Sequence, residues 1–370
     1  MKRPTALGAL AGMAAAGMIL TACGGGAAQN PGSAPGAAGG GGGGTEELKD
    51  GQVPPTGVEG GPDFDLSGEK IVATTSPPGA INMGTFFAYK RLEEWGADVE
   101  TVIVTTTSGV QTIMAGRADI ASQGSDEVVL GAAEGAEMVS IGAPSTAMDY
   151  VLVAEKSIKS VEDLEGKAVG MSGPSGFDAL LTRFSLEDAG LKKSAARFVQ
   201  IGGSPDRASA LLSGQVDAAT IFLEDWEELR QQTDDLVLVQ YMADIVPDFP
   251  ATAFFAQADY WQENEEVALA LACANLQANA FLNSSEDTYV DYVLQVVPGA
   301  TEEAARQIYK SSQEVNMWPT EASQVVTVDG MSGLIDAMLQ TGEISKRVEP
   351  SSVVDVDYLQ EAEQMGCGGA

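Results

Sequence analysis

The sequence predicts an α/β fold in two similar lobes. Strand, polar-loop and helix signals alternate from residue 70 onward, one helix–glycine–strand joint occurs twice, and two apolar extended segments are placed to cross between the halves. The length agrees, because 370 residues correspond to about two units of roughly 100 to 200 residues each.

Lys2 and Arg3 precede an apolar run over residues 7–20, shorter than the ~20 residues a membrane span needs, so residues 1–22 read as a targeting signal. The run ends in Leu20-Thr21-Ala22-Cys23. This Leu-x-Ala-Cys arrangement resembles the bacterial lipobox, which implies a lipid anchor on Cys23 at the extracytoplasmic face of the cell membrane, at a cell surface or in a periplasm. Residues 24–44 are almost wholly Gly, Ala, Pro, Ser and Asn and cannot bury enough apolar surface to order themselves. Gly, Pro and acid persist to residue 67, so residues 23–67 read as anchor and disordered tether. The folded body is expected to divide into a first lobe over 68–154, a second over 155–250, a return to the first over 251–360, and a tail over 361–370.

Lys70–Thr75 (KIVATT) is a β-branched strand ended by the turn Ser76-Pro77-Pro78-Gly79. Helical spacing over residues 81–95 stops at Gly96. Residues 99–106 form the next strand, and Thr107-Ser108-Gly109 leads to a short helix over 110–115, stopped by Gly116. Repeated in this way, the pattern predicts a parallel sheet whose ligand loops follow the strands' carboxyl ends. Residues 113–121 (IMAGRADIA) are echoed by residues 211–219 (LLSGQVDAA), each followed by a polar loop: Gln123-Gly124-Ser125-Asp126 in one copy, Phe222-Leu223-Glu224-Asp225 in the other. Between the copies, Ser160 suits the N-cap of a helix over 161–165 with acids in its first turn. Ala168–Met171 is a short buried strand, and Ser172-Gly173-Pro174-Ser175-Gly176 opens a helix over 177–189 whose free N–H groups can hold an oxygen.

Composition removes whole classes of function. The 53 Asp and Glu against 20 Lys and Arg leave a net charge of -33, which repels phosphate backbones and excludes general nucleic-acid binding. With no histidine, the chain cannot build a Ser/His/Asp or Cys/His nucleophile system or a His-rich zinc site; enzymes using other bases stay open as the minority reading, and no enzyme activity, cofactor or metal is expected. Beyond Cys23 there are two cysteines, Cys273 in an apolar helical run and Cys367 in a Gly-rich tail; a disulfide between them and a buried free thiol are both open.

The order of segments resembles the solute-binding proteins of ABC importers with the type II periplasmic-binding-protein fold, in the branch that holds sulfonate, nitrate, taurine, riboflavin and thiamine-pyrimidine binders. The residues that carry the resemblance are MAGRADIASQGSDEVV (residues 114–129), the apolar stretch 150–154, SIKSVEDLEGK (157–167) with Ala168-Val169-Gly170, and residues 210–219. It implies a monomer that holds a small-molecule ligand between its lobes and meets the permease and ATPase subunits of a transporter. The fungal pyrimidine synthases that share the fold are set aside, because that resemblance implies a reacting histidine.

The candidate ligand contacts are Ser76, Ser108, Gln123, Gly124, Ser125, Asp126, Tyr150, Ser172, Gly173, Ser175, Gly176, Phe177, Glu224, Asp225 and Trp226. These loops are acidic, with Asp149 and Glu227 nearby, and contain no Lys or Arg; the nearest cations, Arg183 and Arg207, are expected in helices and open to solvation. Carboxylates accept hydrogen bonds from amino or ring N–H groups, and Tyr150, Phe177, Phe222 and Trp226 offer stacking faces. A neutral or amino-bearing heterocycle, such as a thiamine pyrimidine precursor or a flavin, fits best, with an aliphatic sulfonate or other small organic anion as the alternative. Residues 216–227 resemble the thiamine-pyrimidine branch, in which an acid follows the Val-Asp-Ala strand; Glu224 and Glu227 both qualify. Hinges are expected near residues 150–154 and 253–256.

Overall fold

The computed structural model describes residues 46–47, 52–104, 108–174, 176–246 and 250–368. Cys23, the signal segment and Ser175 lie outside them. The first lobe is built from β1 (Glu46–Glu47), β2 (Lys70–Thr75), α1 (Met83–Glu94), β3 (Asp98–Ile103), α2 (Gly109–Met114), β4 (Ile120–Gly124), α3 (Ser125–Ala133) and β5 (Met138–Gly142). The second holds β6 (Tyr150–Glu155), β7 (Ala168–Met171), α4 (Phe177–Asp188), β8 (Arg197–Gln200), α5 (Ser204–Leu212), β9 (Ala218–Phe222), α6 (Leu223–Gln232) and β10 (Leu236–Tyr241). The chain then returns through β11 (Thr252–Gln257), α7 (Ala258–Glu263), α8 (Glu265–Ser284), α9 (Glu286–Val296), α10 (Glu302–Glu314), α11 (Ala322–Val325), α12 (Val328–Thr341) and α13 (Asp357–Gln364).

Both sheets are mixed, with strand orders β1-β3-β2-β4-β11-β5 and β10-β6-β9-β7-β8. β2 pairs in parallel with β3 and β4, and β7 with β8 and β9, as the repeated strand–loop–helix pattern predicts. β6 and β11 run antiparallel to their neighbours. The reason is geometric. The chain leaves β5 at its carboxyl end and enters the other sheet at the facing edge, so β6 must run against the strands that point there; β11 repeats this on the way back.

This corrects the expected hinges. Residues 150–154 and 253–256 are the strands β6 and β11, each buried inside a sheet, and the second lobe begins at Tyr150 rather than residue 155. Their apolar character serves a strand covered on both faces. The crossings are residues 143–149 and, among the described residues, 242–246 and 250–251. Asn275 of α8 pins the first of them, accepting from Ala143 N at 2.8 Å and donating to Ala143 O at 3.0 Å.

The internal echo has a local physical cause. Asp119 accepts a hydrogen bond from Val72 N (2.8 Å) and donates its own N–H to Val72 O (2.8 Å). Asp217 does the same to Ala168, at 2.6 and 2.8 Å. In each lobe the Asp after the glycine turn splices the incoming strand onto its neighbour, and Gly116 and Gly214 take the left-handed φ (64° and 71°) that the reversal requires. Residues 161–165 make a single 3₁₀ turn, Val161–Leu164, in which Ser160 and Asp163 form a capping box.

Residues 52–67 depart from the tether expected of them. Leu66 and Phe64 are buried, Phe64 packs edge-on to Trp95 at 4.8 Å, and Thr56 N donates to Glu94 at 2.7 Å. Two apolar side chains in an acidic Gly/Pro segment are enough to seat it on α1. At the other end, Cys273 of α8 and Cys367 are joined in a disulfide, so the tail is fastened to the first lobe's most buried helix.

Removing the Asp217 splice should destabilise the whole fold. Asp217→Ala leaves the Ala168 N–H without its charged acceptor and should cost about 1.5–3 kcal/mol in denaturant unfolding. A change in midpoint equivalent to less than about 0.5 kcal/mol, the scale of an ordinary surface substitution, would contradict this role.

Candidate functional site

The carboxyl ends of β2, β4 and β5 face those of β7 and β9, and the entering strands β6 and β11 begin at the same edges. Loops that emerge there therefore meet across a cleft. One such meeting joins Ala80, in the loop before α1, to Glu224, in the first turn of α6. Ala80 N donates to Glu224 Oε2 at 2.9 Å. The Ala80 loop is braced from behind, since Tyr289 Oη donates to Ala80 O (2.8 Å), Gly79 N donates to Asn82 Oδ1 (2.8 Å) and Asn82 Nδ2 donates to Pro77 O (2.9 Å). A Cβ on Gly79 would stand 2.7 Å from Glu224 Oε1, so a larger residue there would displace the carboxylate.

Glu224, Asp225 and Asp149 crowd one another at this junction, and Asp126 is a fourth buried carboxyl, at the start of α3. Burial pushes Asp126 and Glu224 up to about 8, with Glu127 adding repulsion at Asp126 and Asp225 and Asp149 adding it at Glu224. Burial lifts Asp149 to about 7, reinforced by Asp225, and lifts Asp225 itself to about 6 against the hydrogen bond from Ser204 Oγ. The cation within this group is Arg207, which is 2 % exposed and not solvated as the sequence left open. It lies 3.7 Å from Asp178 and donates to Thr220 O (2.8 Å) and Gly202 O (2.6 Å). It stands nearest Asp178, engages the backbone through Nε and Nη1, and also lowers Asp225, while Asp126, Asp149 and Glu224 are crowded by other carboxyls.

Tyr150 stands where β6 enters, with Phe222 at 4.7 Å and Phe177 edge-on at 5.8 Å. Asp149, Asp178 and Asp126 all raise the Tyr150 hydroxyl further above its ordinary value, after burial, so it lies within the field of the same acids. A planar ring with polar edges is the ligand shape that such a wall accommodates.

The remaining expected contacts divide. Gly124 caps α3, and Asp126 sits in the first turn of that helix, so closely that a Cβ on Gly124 would collide with its Oδ1. Gln123 adjoins them with its Oε1 buried. Gly176 caps α4, next to Phe177, and Gly173 O accepts from Gly176 N at 3.1 Å. Ser76 is exposed at the end of β2. Other members are turned to structural work. Ser108 caps the short helix α2 and donates to Glu127 at 2.7 Å; the Ser125 hydroxyl is tied to Pro250 O beside the second crossing; Ser172 is held by Asp178 through its N–H (2.9 Å) and hydroxyl. Trp226 is buried in the apolar cluster with Leu223, Leu229 and Leu211 instead of offering a stacking face. Glu227 is engaged by Arg230 at 2.5 Å, which leaves Glu224 as the acid at the cleft.

Sequence reasoning missed Asp178, Ser204 and Ala80. Ser204 bridges Phe222 N (2.8 Å) and the Asp225 carboxyl, holding that acid in place. The available signal was Gly203-Ser204-Pro205-Asp206, a Ser followed by Pro at the start of a helix.

Comparison with known proteins places this geometry in context. Residues 86–285 match the NMT1/THI5-like family. A binding protein of Brucella abortus (strain 2308) is 27 % identical over 275 residues, covering 72 % of this chain and 83 % of the relative. Two solved structures share the fold. The alkanesulfonate-binding protein SsuA from Xanthomonas axonopodis pv. citri bound to MOPS has a TM-score of 0.65 and 16 % identity, covering 78 % of this chain and 99 % of its own. The periplasmic nitrate-binding protein NrtA from Synechocystis PCC 6803 has a TM-score of 0.65 and 13 % identity, covering 82 % and 90 %. The two-lobe α/β architecture is thus the periplasmic-binding-protein fold.

The raised carboxyls set a pH dependence with a definite sign. A carboxyl near 4 in the unfolded chain and near 7 or 8 in the fold holds a proton that unfolding releases. Its favourable contribution is full below about pH 4 and is lost as pH rises through 7 for Asp149 and 8 for Asp126 and Glu224. Thermal unfolding of the full chain should therefore fall from pH 5 to pH 8, and Asp149→Asn should make that fall shallower. Parallel curves for the two proteins would show that Asp149 is not buried in this way.

Proposed function

The chain belongs to the NMT1/THI5-like family, and from that premise we propose that it is an extracytoplasmic solute-binding lipoprotein. It captures a small molecule between its lobes and delivers it to the permease and ATPase subunits of an ABC-type importer. The ligand is a neutral or amino-bearing heterocycle, of the size of a thiamine pyrimidine precursor or a flavin. The protein acts as a monomer, without catalysis, held by a lipid on Cys23.

One observation carries the ligand class. Asp126 and Asp149 act on Tyr150, and Glu224 and Asp225 crowd Asp149 and one another, while Arg207 stands 3.7 Å from Asp178 and donates to two backbone carbonyls. N–H groups on a ring satisfy such carboxyls, and closing the lobes over them strengthens each bond by excluding water. Rotation about the two crossings supplies the closure. The second reading, an aliphatic sulfonate or other small organic anion, draws on the helix N-termini of α1, α3, α4 and α6, which open from the same loops.

A thermal-shift screen of vitamins, their precursors and sulfonates against the full chain should find the ligand, and the hit should be recovered chemically unchanged. Calorimetric titration of Glu224→Gln at about pH 9, above the value of about 8 at which Glu224 ionises, then separates the readings. A donor ligand loses a charge-assisted bond of about 1.5–3 kcal/mol, so affinity should fall by roughly ten- to a hundredfold. Tighter binding in the variant would favour the anion, and equal binding would remove Glu224 from the site.

Anchoring is tested separately. Cys23→Ala should move the protein out of the membrane fraction or block its maturation; retention on the membrane with normal processing would sink the lipid assignment.

A further inference from the structure

The C-terminal turn of α12 reaches the second lobe at a point away from the Ala80–Glu224 contact. α12 lies on the chain's return to the first lobe and packs on α3 there as well as on α4 of the second. It is followed by the 3₁₀ turn Pro350–Ser352 and by Val354, which bridges Ser140 of β5, and beyond these the disulfide to α8 fastens the chain end. Its last turn nevertheless meets α4 and the loop after α4, both parts of the second lobe. Arg183 Nη1 pairs with Glu343, and Lys193 Nζ donates to Thr341 O at 2.7 Å.

Several features mark this as a built contact. Both side chains of the Arg183–Glu343 pair are largely withdrawn from water, at 15 % and 14 % exposure, unlike an ordinary surface pair. Arg183 is positioned from its own lobe, since Nη2 donates to Pro174 O at 2.8 Å and the guanidinium lies 5.2 Å over the Phe198 ring. Lys193 meets a carbonyl left open at the helix end, where the macrodipole is negative. Gly342 ends α12 with a left-handed φ of 76°, and a Cβ there would stand 2.9 Å from Lys193 Nζ. Glu343 also raises Asp126 of the same lobe, which puts the Arg183–Glu343 pair near that carboxyl.

We propose that the last turn of α12 is a clasp over the cleft, in which Arg183 and Lys193 of the second lobe grip Glu343 and Thr341 of the first and set how long the closed form lasts. The clasp deepens the reading of the cleft as a capture site and rests on it. Its test, however, needs no ligand, so the two can fail independently. Arg183 and Lys193 are positioning residues here: they act on closure and do not touch the bound molecule.

The Ala80 N–H reports closure, because its acceptor is on the other lobe. Amide hydrogen exchange should be followed in the full chain at Ala80 and at Ala268, in the first turn of α8, whose N–H donates to Asn264 O at 3.0 Å and so reports on the first lobe by itself. Glu343→Gln and Lys193→Met should each speed exchange at Ala80 at least fivefold while leaving Ala268 within twofold. Arg183→Gln added to Glu343→Gln should raise Ala80 exchange no further, as expected of one shared interaction. Exchange at Ala80 within twofold of wild type in both single variants would overturn the clasp. An equal rise at Ala80 and Ala268 would also overturn it, by showing a general loss of stability.

Discussion

The structure depends on a constraint of connectivity: the chain crosses between lobes twice, and both crossings leave and enter the sheets at the same facing edges. From this follow the antiparallel strands β6 and β11, which must start where their parallel neighbours end. The meeting of the loops follows as well. Those after β2, β4, β7 and β9 are gathered around two short connections, and a rotation confined to a few backbone dihedrals there moves one whole set of ligand groups against the other. Asn275, by binding both backbone groups of Ala143, keeps the first connection from fraying into the cleft.

A second constraint is electrostatic. Helix N-termini at the cleft favour negative charge, and the chain answers with its own carboxyls, Asp126 in α3 and Glu224 and Asp225 in α6. This occupies the positive ends that an anion would use. Crowding then makes those carboxyls costly to ionise, so a ligand that donates hydrogen bonds, or that carries positive charge, relieves a penalty the protein has built in. The proposed ligand class follows from that imbalance. The fold cannot supply it, since structures of the same fold carry names for sulfonate and nitrate binding.

Much of the architecture was legible in the sequence because its signals are local. β2 and β7 lie where β-branched or apolar runs bounded by turns put them, α1 and α4 end within about a residue of their stopping glycines, and the twin Gly-x-small-Asp joints mark equivalent splices. What was misread depends on partners distant in sequence. An apolar five-residue run reads alike as a crossover or as a buried strand, and only its pairing with Phe222 through Ala218 decides for β6. Arg207 could not be called buried before Asp178, Thr220 and Gly202 were known to surround it, and Trp226 shares its helical spacing with any stacking residue. The clasp involves residues 160 positions apart with no motif at either end.

The most direct measurement of the central claim is a crystal structure of the chain grown with its best-binding compound. The account predicts a ring against Tyr150 and Phe222, with amino or ring N–H groups within about 3.2 Å of Asp149, Asp126 or Glu224. A compound seated outside the cleft, or an anionic group bonded to Arg207 in place of Asp178, would contradict it.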